Sequence, residues 1–179
     1  PHLQAYTEKN GFPEYVIGPG DVLDITLRDV RLNLETVTVR PDSNISFSLV
    51  ENLRAGGLTV KELDEALTRA VGHFLKEPKI DVMVTEFISK KVSLLGAVRS
   101  VGTARQQTGQ GQYALKGKTT VLDIILAAGG TTQDAQLDKV QLVRGGKPFT
   151  LNLQRALSTG DQSHNVILQG DDIVTVPGS

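Results

Sequence analysis

The chain has 179 residues, 39% hydrophobic and 22% charged, which is enough for one domain of ordinary size or two small ones. Its 19 basic and 20 acidic residues give a net charge of −1, and no run of five like charges occurs, so the basic footprint of a nucleic-acid-binding protein is missing. Cysteine is absent, which excludes disulfides, zinc thiolates and a cysteine nucleophile, and no apolar run approaches the roughly 20 residues that span a bilayer.

The N-terminal residues Pro1 to Pro13 are polar and without periodicity, and residues 1–14 are interpreted as a tail or linker. The phrase "YVIGPGDVLDITL", Tyr15 to Leu27, then predicts a strand that is interrupted by a tight turn. Proline presets φ in such a turn, and glycine accepts a positive φ. Alternation of Leu23, Ile25 and Leu27 places these three side chains on one face.

The middle of the first half predicts two more strands, one helix and a closing strand. "TVTV" is one strand, and in "NISFSLV" the residues Ile45, Phe47 and Leu49 alternate with serines, as in a half-buried strand. Thr59 as N-cap and Glu62 three residues later form a capping box that predicts a helix over about 60–75. Its buried face is predicted to comprise Leu63, Ala66, Leu67, Ala70, Val71, Phe74 and Leu75. "KIDVMVTEF" alternates as a strand.

The second half predicts strands around one short helix. "KKVSLLGAV" is a strand and the polar segment after it a loop, and Tyr113 to Leu115 is a short strand. "TTVLDIILAAGG" is a helix with Thr120 as cap and Gly129 at its C-terminal end. Two apolar runs around Gly145-Gly146 indicate a hairpin, one helical turn or two follow over 152–157, and a last strand closes the chain. The pattern predicts an α+β fold of two small domains.

A second Gly-Asp phrase, "NVILQGDDIVTVP", begins 150 residues after the first. Aspartates in these phrases could perform acid–base chemistry or bind calcium. Alternatively, each Asp that follows Gly could tie its turn through backbone N–H groups. The second interpretation is favoured, because neither phrase offers the alternating oxygen donors of a calcium loop. The predicted structural-turn residues are Gly18, Pro19, Gly20, Asp21, Gly129, Gly130, Gly170 and Asp171.

No catalytic, cofactor-binding or metal-ligating residue is predicted. The histidines His2, His73 and His164 lie at no ligand spacing, and no protease, hydrolase or phosphate-loop motif occurs. The chain is therefore predicted not to be an enzyme and to need no cofactor. It contains no tryptophan, which disfavours a high-affinity lectin site. A surface past which a polymer slides would need no such site.

In order along the chain, these segments resemble a known family. "YVIGPGDVLDITL" together with "TVRPDSNISFSLVENLRAGGLTVKELDEALTRAVGHFLKEPKIDVMV" resembles the export domain of the bacterial polysaccharide export proteins, the Wza-type outer-membrane auxiliary family. "LDIILAAGG" and "GDDIVTVP" resemble the most specific parts of an SLBB domain, which has a β-grasp fold. The expected domains are therefore an export domain over 15–88, containing a mixed sheet and one long helix, and a β-grasp-like SLBB domain over 89–179.

The resemblance implies a non-enzymatic, periplasmic component of a complex that exports capsule or exopolysaccharide across the outer membrane. The implied partners are further copies of the chain in a ring, an inner-membrane polysaccharide co-polymerase, the polymer in weak contact, and a separate outer-membrane barrel. A targeting segment or lipid anchor would lie upstream of the given chain. The rival interpretation is an SLBB module that binds a soluble ligand or glycan as a scaffold or adaptor. An enzyme acting on glycans through Asp21 or Asp171 is a third hypothesis.

Two further expectations concern surfaces. The polar positions Arg99, Arg105, Gln106, Gln107 and Gln112 are predicted to lie at an interface. Because the two Gly-Asp phrases are alike, the segment 15–27 is predicted to pack beside the C-terminal strand Asp172 to Val176, which would make the second domain discontinuous.

Overall fold

The computed structural model describes residues 3–9, 11–28, 32–100 and 108–179, and the chain divides into two compact units, Pro1–Lys90 and Lys91–Ser179. Each unit combines β-strands with short helices, so the predicted α+β class is confirmed.

The first unit begins with a hairpin of two strands, β1 (Tyr6–Lys9) and β2 (Phe12–Tyr15). The expectation of a tail over 1–14 is therefore wrong for the described part of that segment. Ala5 is fully buried, its carbonyl accepts a hydrogen bond from Val16 N at 3.0 Å, and Gly11 adopts the positive φ of +82°. Main-chain hydrogen bonds form a hairpin without an alternating apolar pattern in the side chains. The polar sequence of this segment therefore gave no signal that predicts the hairpin.

The remaining elements of the first unit are β3 (Val22–Arg28), β4 (Leu32–Thr38), β5 (Asn44–Phe47), β6 (Val50–Arg54), α1 (Val60–Val71) and β7 (Lys79–Glu86). Strands β4, β3 and β7 form an antiparallel sheet in that order, and β5 pairs with β6 in a second hairpin. Alternate residues of β3, among them Leu23 and Ile25, are fully buried in the same hydrophobic core as Leu63 and Leu67 of α1. This core supports the turn that precedes β3.

The capping box of α1 is confirmed, since Glu62 N donates to Thr59 Oγ1 and Thr59 N donates to Glu62 Oε1. The helix nevertheless ends at Val71, before the predicted position, and Phe74 is 58% exposed instead of lying in the core. Leu49 is also 69% exposed, because Ser48 at φ +54° turns the chain between β5 and β6. The single strand predicted over 44–50 is therefore two strands, and Leu49 belongs to the turn.

The second unit contains β8 (Lys91–Gly96), β9 (Gly111–Ala114), α2 (Val121–Ala127), a 3-10 turn (Leu137–Lys139), β10 (Val140–Arg144), β11 (Lys147–Leu151), α3 (Gln154–Ser158) and β12 (Ile173–Val176). The sheet order is β11–β10–β12–β8–β9, and only the β12–β8 pair is parallel among the described strands. The Thr120 cap of α2 and the hairpin turn at Gly145-Gly146 are confirmed.

The predicted pairing of the segment 15–27 with the C-terminal strand is wrong. Strand β3 lies between β4 and β7, and β12 lies between β10 and β8. Both edges of each strand are thus hydrogen-bonded within their own unit. The two similar phrases build two separate sheets.

Candidate functional site

The carboxylate of Asp21 is the centre of a buried hydrogen-bond network in the first unit. Its side chain is completely inaccessible, and Oδ2 accepts from Gly18 N at 2.9 Å and from the Tyr15 hydroxyl at 2.7 Å. Its Oδ1 accepts from the backbone N–H groups of Ile88 and Ser89, both at 2.8 Å, and Ser89 Oγ donates to Oδ2 at 3.0 Å. A buried carboxylate is stable when its lone pairs are occupied in this way. Asp21 therefore joins the turn before β3 to the residues that follow β7.

Lys90 lies beside this network and is 3% exposed. Its Nζ donates to the Val16 carbonyl at 2.8 Å and to Ser89 Oγ at 3.0 Å, and lies 5.3 Å from the centre of the Tyr15 ring. Burial lowers the pKa of Lys90, and the negative charge of Asp21 opposes that shift. Burial chiefly raises the pKa of the Tyr15 hydroxyl far above its ordinary value, so Tyr15 is a neutral hydrogen-bond donor at physiological pH.

A cleft of about 430 Å³ opens next to Lys90, and we call it the Arg54–Lys90 cleft. It lies within the first unit and is lined by Gln4, Tyr6, Thr7, Val16, Ile17, Gly18, Pro19, Ser43, Arg54, Gly56, Gly57 and Lys90. Two cations and several hydroxyl or amide groups face it, and none of these lining residues is acidic. The cleft is suited chemically to a polar ligand that carries a negative charge.

The second Gly-Asp phrase forms a similar turn, but one residue later than predicted. Gln169 N donates to Asp172 Oδ2 at 2.8 Å, as Gly18 N does to Asp21. Asp172 is 1% exposed, whereas Asp171 is exposed and occupies the positive φ of 70° that corresponds to Gly20. The carboxylate that ties this turn is therefore Asp172, and the assignment of that role to Asp171 is wrong.

Arg144 supplies the positive charge beside Asp172. Its Nε donates to Oδ1 at 3.0 Å and its Nη2 to Oδ2 at 2.7 Å, while Nη2 also donates to the Ile167 carbonyl at 2.9 Å. The hydrogen bond to Asp172 raises the pKa of the guanidinium further. Both Gly-Asp turns thus end in a buried, fully paired carboxylate, one beside Lys90 and one beside Arg144.

The other predicted positions are dispersed. Gly129 and Gly130 have φ values of +109° and +86°, and their N–H groups donate to the carbonyls of Leu126 and Ile125 at the end of α2. Gly170 is buried in the second turn. Arg99 is exposed and Gln112 is exposed on β9, while residues 105–107 lie outside the described residues. Within the described ranges, no three potential metal ligands converge.

Sequence reasoning missed Ser89, Lys90 and Arg54. Each of them contacts the Asp21 turn or faces the cleft only after β6 and β7 have folded beside it. No local motif marks them. The sequence did contain a signal that favours Asp172 over Asp171. Val174 and Val176 alternate with Thr175 on the last strand, and Asp172 lies two residues before Val174, on the same buried face.

Comparison with known proteins gives two successive family matches. Residues 10–85 match the family described as polysaccharide biosynthesis/export protein, and residues 90–176 match the SLBB domain. The predicted resemblance to polysaccharide export proteins, with an export domain followed by an SLBB domain, is therefore confirmed.

Individual relatives carry names that agree with this resemblance. The chain is 25% identical over 166 residues to the EPS I polysaccharide export outer membrane protein EpsA of Ralstonia nicotianae, which covers 92% of the chain and 42% of that protein. It is 26% identical over 149 residues to the capsule polysaccharide export outer membrane protein CtrA of Neisseria meningitidis, covering 83% of the chain and 35% of the relative. The capsule polysaccharide export protein BexD of Haemophilus influenzae is 23% identical over 146 residues. The chain spans less than half the length of these curated relatives.

Among the described residues, none of the helices combines the length and the apolar character that a membrane crossing requires.

Proposed function

We propose that this chain is a non-enzymatic component of a complex that exports capsule or exopolysaccharide across the outer membrane. The observation that carries the proposal is the succession of an export-domain match and an SLBB match in one short chain. Relatives named for polysaccharide export align with 80% to 92% of the chain, which supports the same role. The chain would act from the periplasmic side of the outer membrane.

The geometry of the two buried aspartates supports a role without catalysis. A general base or nucleophile must reach a substrate with a free lone pair. Asp21 accepts five hydrogen bonds and is inaccessible, and Asp172 is 1% exposed and paired with Arg144. These residues hold turns together, which is what a scaffold for a passing polymer requires.

A homo-oligomeric ring is the proposed assembly. The sheet orders place β4 and β7 at the edges of one sheet and β9 and β11 at the edges of the other. Edge strands can pair with a further chain, and contacts between unlike surfaces close into rings when the rotation is complete. Gln112 lies on the edge strand β9, which supports the proposed interface positions near it. The mass of the native complex tests this assembly, and a monomer at cellular concentration contradicts it.

The wider partners are an inner-membrane polysaccharide co-polymerase and a separate outer-membrane barrel, with a lipid anchor upstream of the given chain. Deletion of the gene in its host tests the proposed role. We expect the amount of secreted polysaccharide to fall and a plasmid copy of the gene to restore it. Normal secretion in the deletion strain contradicts the proposal.

A cleft in the second unit favours one alternative, in which the SLBB domain binds a soluble ligand. This cleft measures about 660 Å³ and its lining residues are Tyr113, Ala114, Lys116, Lys118, Thr119, Asp123, Ile124 and Ala127. Titration of the chain with purified oligosaccharides separates the two functions. Micromolar or tighter binding in this cleft supports the binding module, whereas weak binding or none supports the export component.

A further inference from the structure

We infer that the Arg54–Lys90 cleft binds the carboxylate group of an acidic sugar, so that the transported polymer is a polysaccharide with uronate-like residues. The inference rests on the proposed export function and adds the chemical class of the substrate. It concerns only the first unit, where the lining residues Gly18 and Lys90 are hydrogen-bonded to the buried Asp21 network.

The lining of the cleft carries positive charge. Arg54 and Lys90 face the cleft, and its described lining residues include no carboxylate to neutralise them. The neighbouring carboxylate, Asp21, has no accessible surface and already accepts hydrogen bonds from five donors. Lys90 offsets the charge of Asp21, so the excess positive charge of the cleft resides on Arg54.

The hydrogen-bond donors of these two cations determine which anion they can bind. Arg54 is exposed, and its Nε donates to the Gly56 carbonyl at 3.1 Å, which orients the guanidinium. Its two terminal nitrogens donate to no residue in the described part of the chain. The Lys90 ammonium has three N–H donors and uses two of them on Val16 and Ser89. A guanidinium edge matches the two oxygens of a carboxylate, and a lysine N–H can donate to a carboxylate oxygen.

Two glycines of the lining allow polar side chains to approach the backbone closely. Neither Gly18 nor Gly56 has a positive φ, so backbone conformation does not require glycine at these positions. A Cβ at Gly18 would lie 2.9 Å from Lys90 Nζ and 2.7 Å from Ser89 Oγ, and one at Gly56 would lie 2.6 Å from Ser43 Oγ. Added side chains would therefore collide with Ser89, Lys90 or Ser43 and displace these polar groups. The remaining lining, which includes Gln4, Thr7 and Ser43, offers amide and hydroxyl groups suited to sugar hydroxyls.

The size and polarity of the cleft favour a sugar over an apolar ligand. A volume of about 430 Å³ is at the small end of ligand pockets and accommodates one or two sugar rings. Binding is expected to be weak, because it depends on one ion pair with Arg54 and the chain has no tryptophan to stack on a sugar ring. Weak binding allows a transported polymer to dissociate and pass through.

The test is a titration of the purified, isotope-labelled chain with an oligogalacturonate, followed by the backbone amide signals in nuclear magnetic resonance. We expect saturable shifts at Gly18, Gly56 and Gly57 that weaken as salt is added. The methyl ester of the same oligosaccharide has no free carboxylate and is expected to leave these signals unchanged. Equal binding of the ester, or no saturable shift in the cleft, overturns the inference.

The variant Arg54→Gln is expected to weaken binding of the oligogalacturonate about tenfold, because a hydrogen bond to a charged group is lost. Arg54→Lys keeps the positive charge but lacks the planar guanidinium, so it should weaken binding less than Arg54→Gln does. Arg28→Gln is the matched control, since Arg28 is an exposed arginine of the same unit that pairs with Asp81 and does not line the cleft. Equal affinity of Arg54→Gln and Arg28→Gln contradicts the assignment.

An oligoglutamate of the same net charge provides the remaining comparison. Tighter binding of this peptide than of the oligogalacturonate at the same amides would assign the cleft to a protein partner and overturn the sugar proposal. The deletion experiment separates the two levels of inference. Loss of secretion without any cleft binding refutes only the acidic-sugar site, whereas normal secretion refutes the export function itself.

Discussion

Arg144 and Asp172 are joined by two hydrogen bonds, from Nε to Oδ1 at 3.0 Å and from Nη2 to Oδ2 at 2.7 Å. Arg144 is the last residue of β10, and Asp172 directly precedes β12. The pair thus joins the hairpin of the second unit to its central strand. Asp21 performs the corresponding role in the first unit through backbone donors.

The first prediction concerns this ion pair. Asp172→Ala is expected to lower the free energy of unfolding of the second unit by about 2–3 kcal/mol, because Arg144 and the Gln169 N–H lose a charged partner. Asp171→Asn is the matched control, since that side chain is exposed and asparagine tolerates its positive φ. Hydrogen exchange of the β10 and β12 amides in both variants measures the difference. Equal protection in the two variants would contradict the assigned role of Asp172.

The second prediction concerns Asp21. Asp21→Asn keeps the shape but replaces an acceptor oxygen by an amide donor, so N–H groups of the 88–89 segment or the Tyr15 hydroxyl lose their partner. We expect a loss of about 2–3 kcal/mol in the first unit, typical of buried donors that are left unsatisfied. Asp24→Asn changes a partly exposed carboxylate bonded to Thr36 and should cost far less. Denaturant unfolding of the two variants tests the contrast, and a neutral Asp21→Asn would show that the network is dispensable.

The third prediction concerns alkaline pH. Burial raises the pKa of Tyr15 in the folded chain, so the unfolded chain releases the phenol proton first as the pH rises. The stabilisation from Tyr15 is therefore complete below the ordinary tyrosine pKa of about 10 and is lost above it. Lys90 acts in the opposite sense, because its lowered pKa makes stability rise as the pH approaches the ordinary lysine value.

Tyr15→Phe separates these contributions. The variant should lose some stability at neutral pH, where the hydrogen bond to Asp21 is missing, and should fall less steeply than the unchanged chain above pH of about 10. Thermal unfolding at a series of pH values measures how steeply the stability of each protein falls with pH. Parallel curves for the two proteins would show that Tyr15 does not titrate on unfolding.

The fourth prediction concerns Gly96 at the end of β8. Its φ is +100°, and an added Cβ would lie 2.1 Å from the Val176 carbonyl oxygen. Gly96→Ala is therefore expected to destabilise the second unit by about 3 kcal/mol or more, through the strained φ and the separation of β8 from β12. Gly145→Asn, in a turn with open space around it, should be nearly neutral. Folded yield and hydrogen exchange distinguish the two, and a well-folded Gly96→Ala protein would contradict the close approach.

Local signals allowed part of this structure to be predicted. The capping boxes of Thr59 and Thr120 and the glycine pair of the β10–β11 hairpin act over a few residues, so sequence alone identifies them. The β1–β2 hairpin was missed because main-chain hydrogen bonds and the turn at Gly11 form it without an apolar pattern. Phe74 repeats with the helical period of α1, yet the helix ends before reaching it.

The candidate site was less accessible to prediction than the fold. Asp21 was recognised as a turn residue, but its partners Ile88 and Ser89 come from the far end of the first unit. Long-range contacts of this kind depend on the order of the strands in each sheet. The similarity of the two Gly-Asp phrases predicted one shared sheet, but the strands that follow them lie in two separate sheets. The same limit applies to Arg54, which faces the cleft only after β6 has turned back along β5.

Fractionation of polysaccharide in a strain that lacks the gene distinguishes a protein that exports the polymer, as proposed here, from one that makes it. We expect that polymer is still synthesised but accumulates inside the cell envelope while the released fraction falls, and that a plasmid copy of the gene restores release. An unchanged ratio of released to retained polymer, or a loss of synthesis without retained polymer, would contradict this expectation.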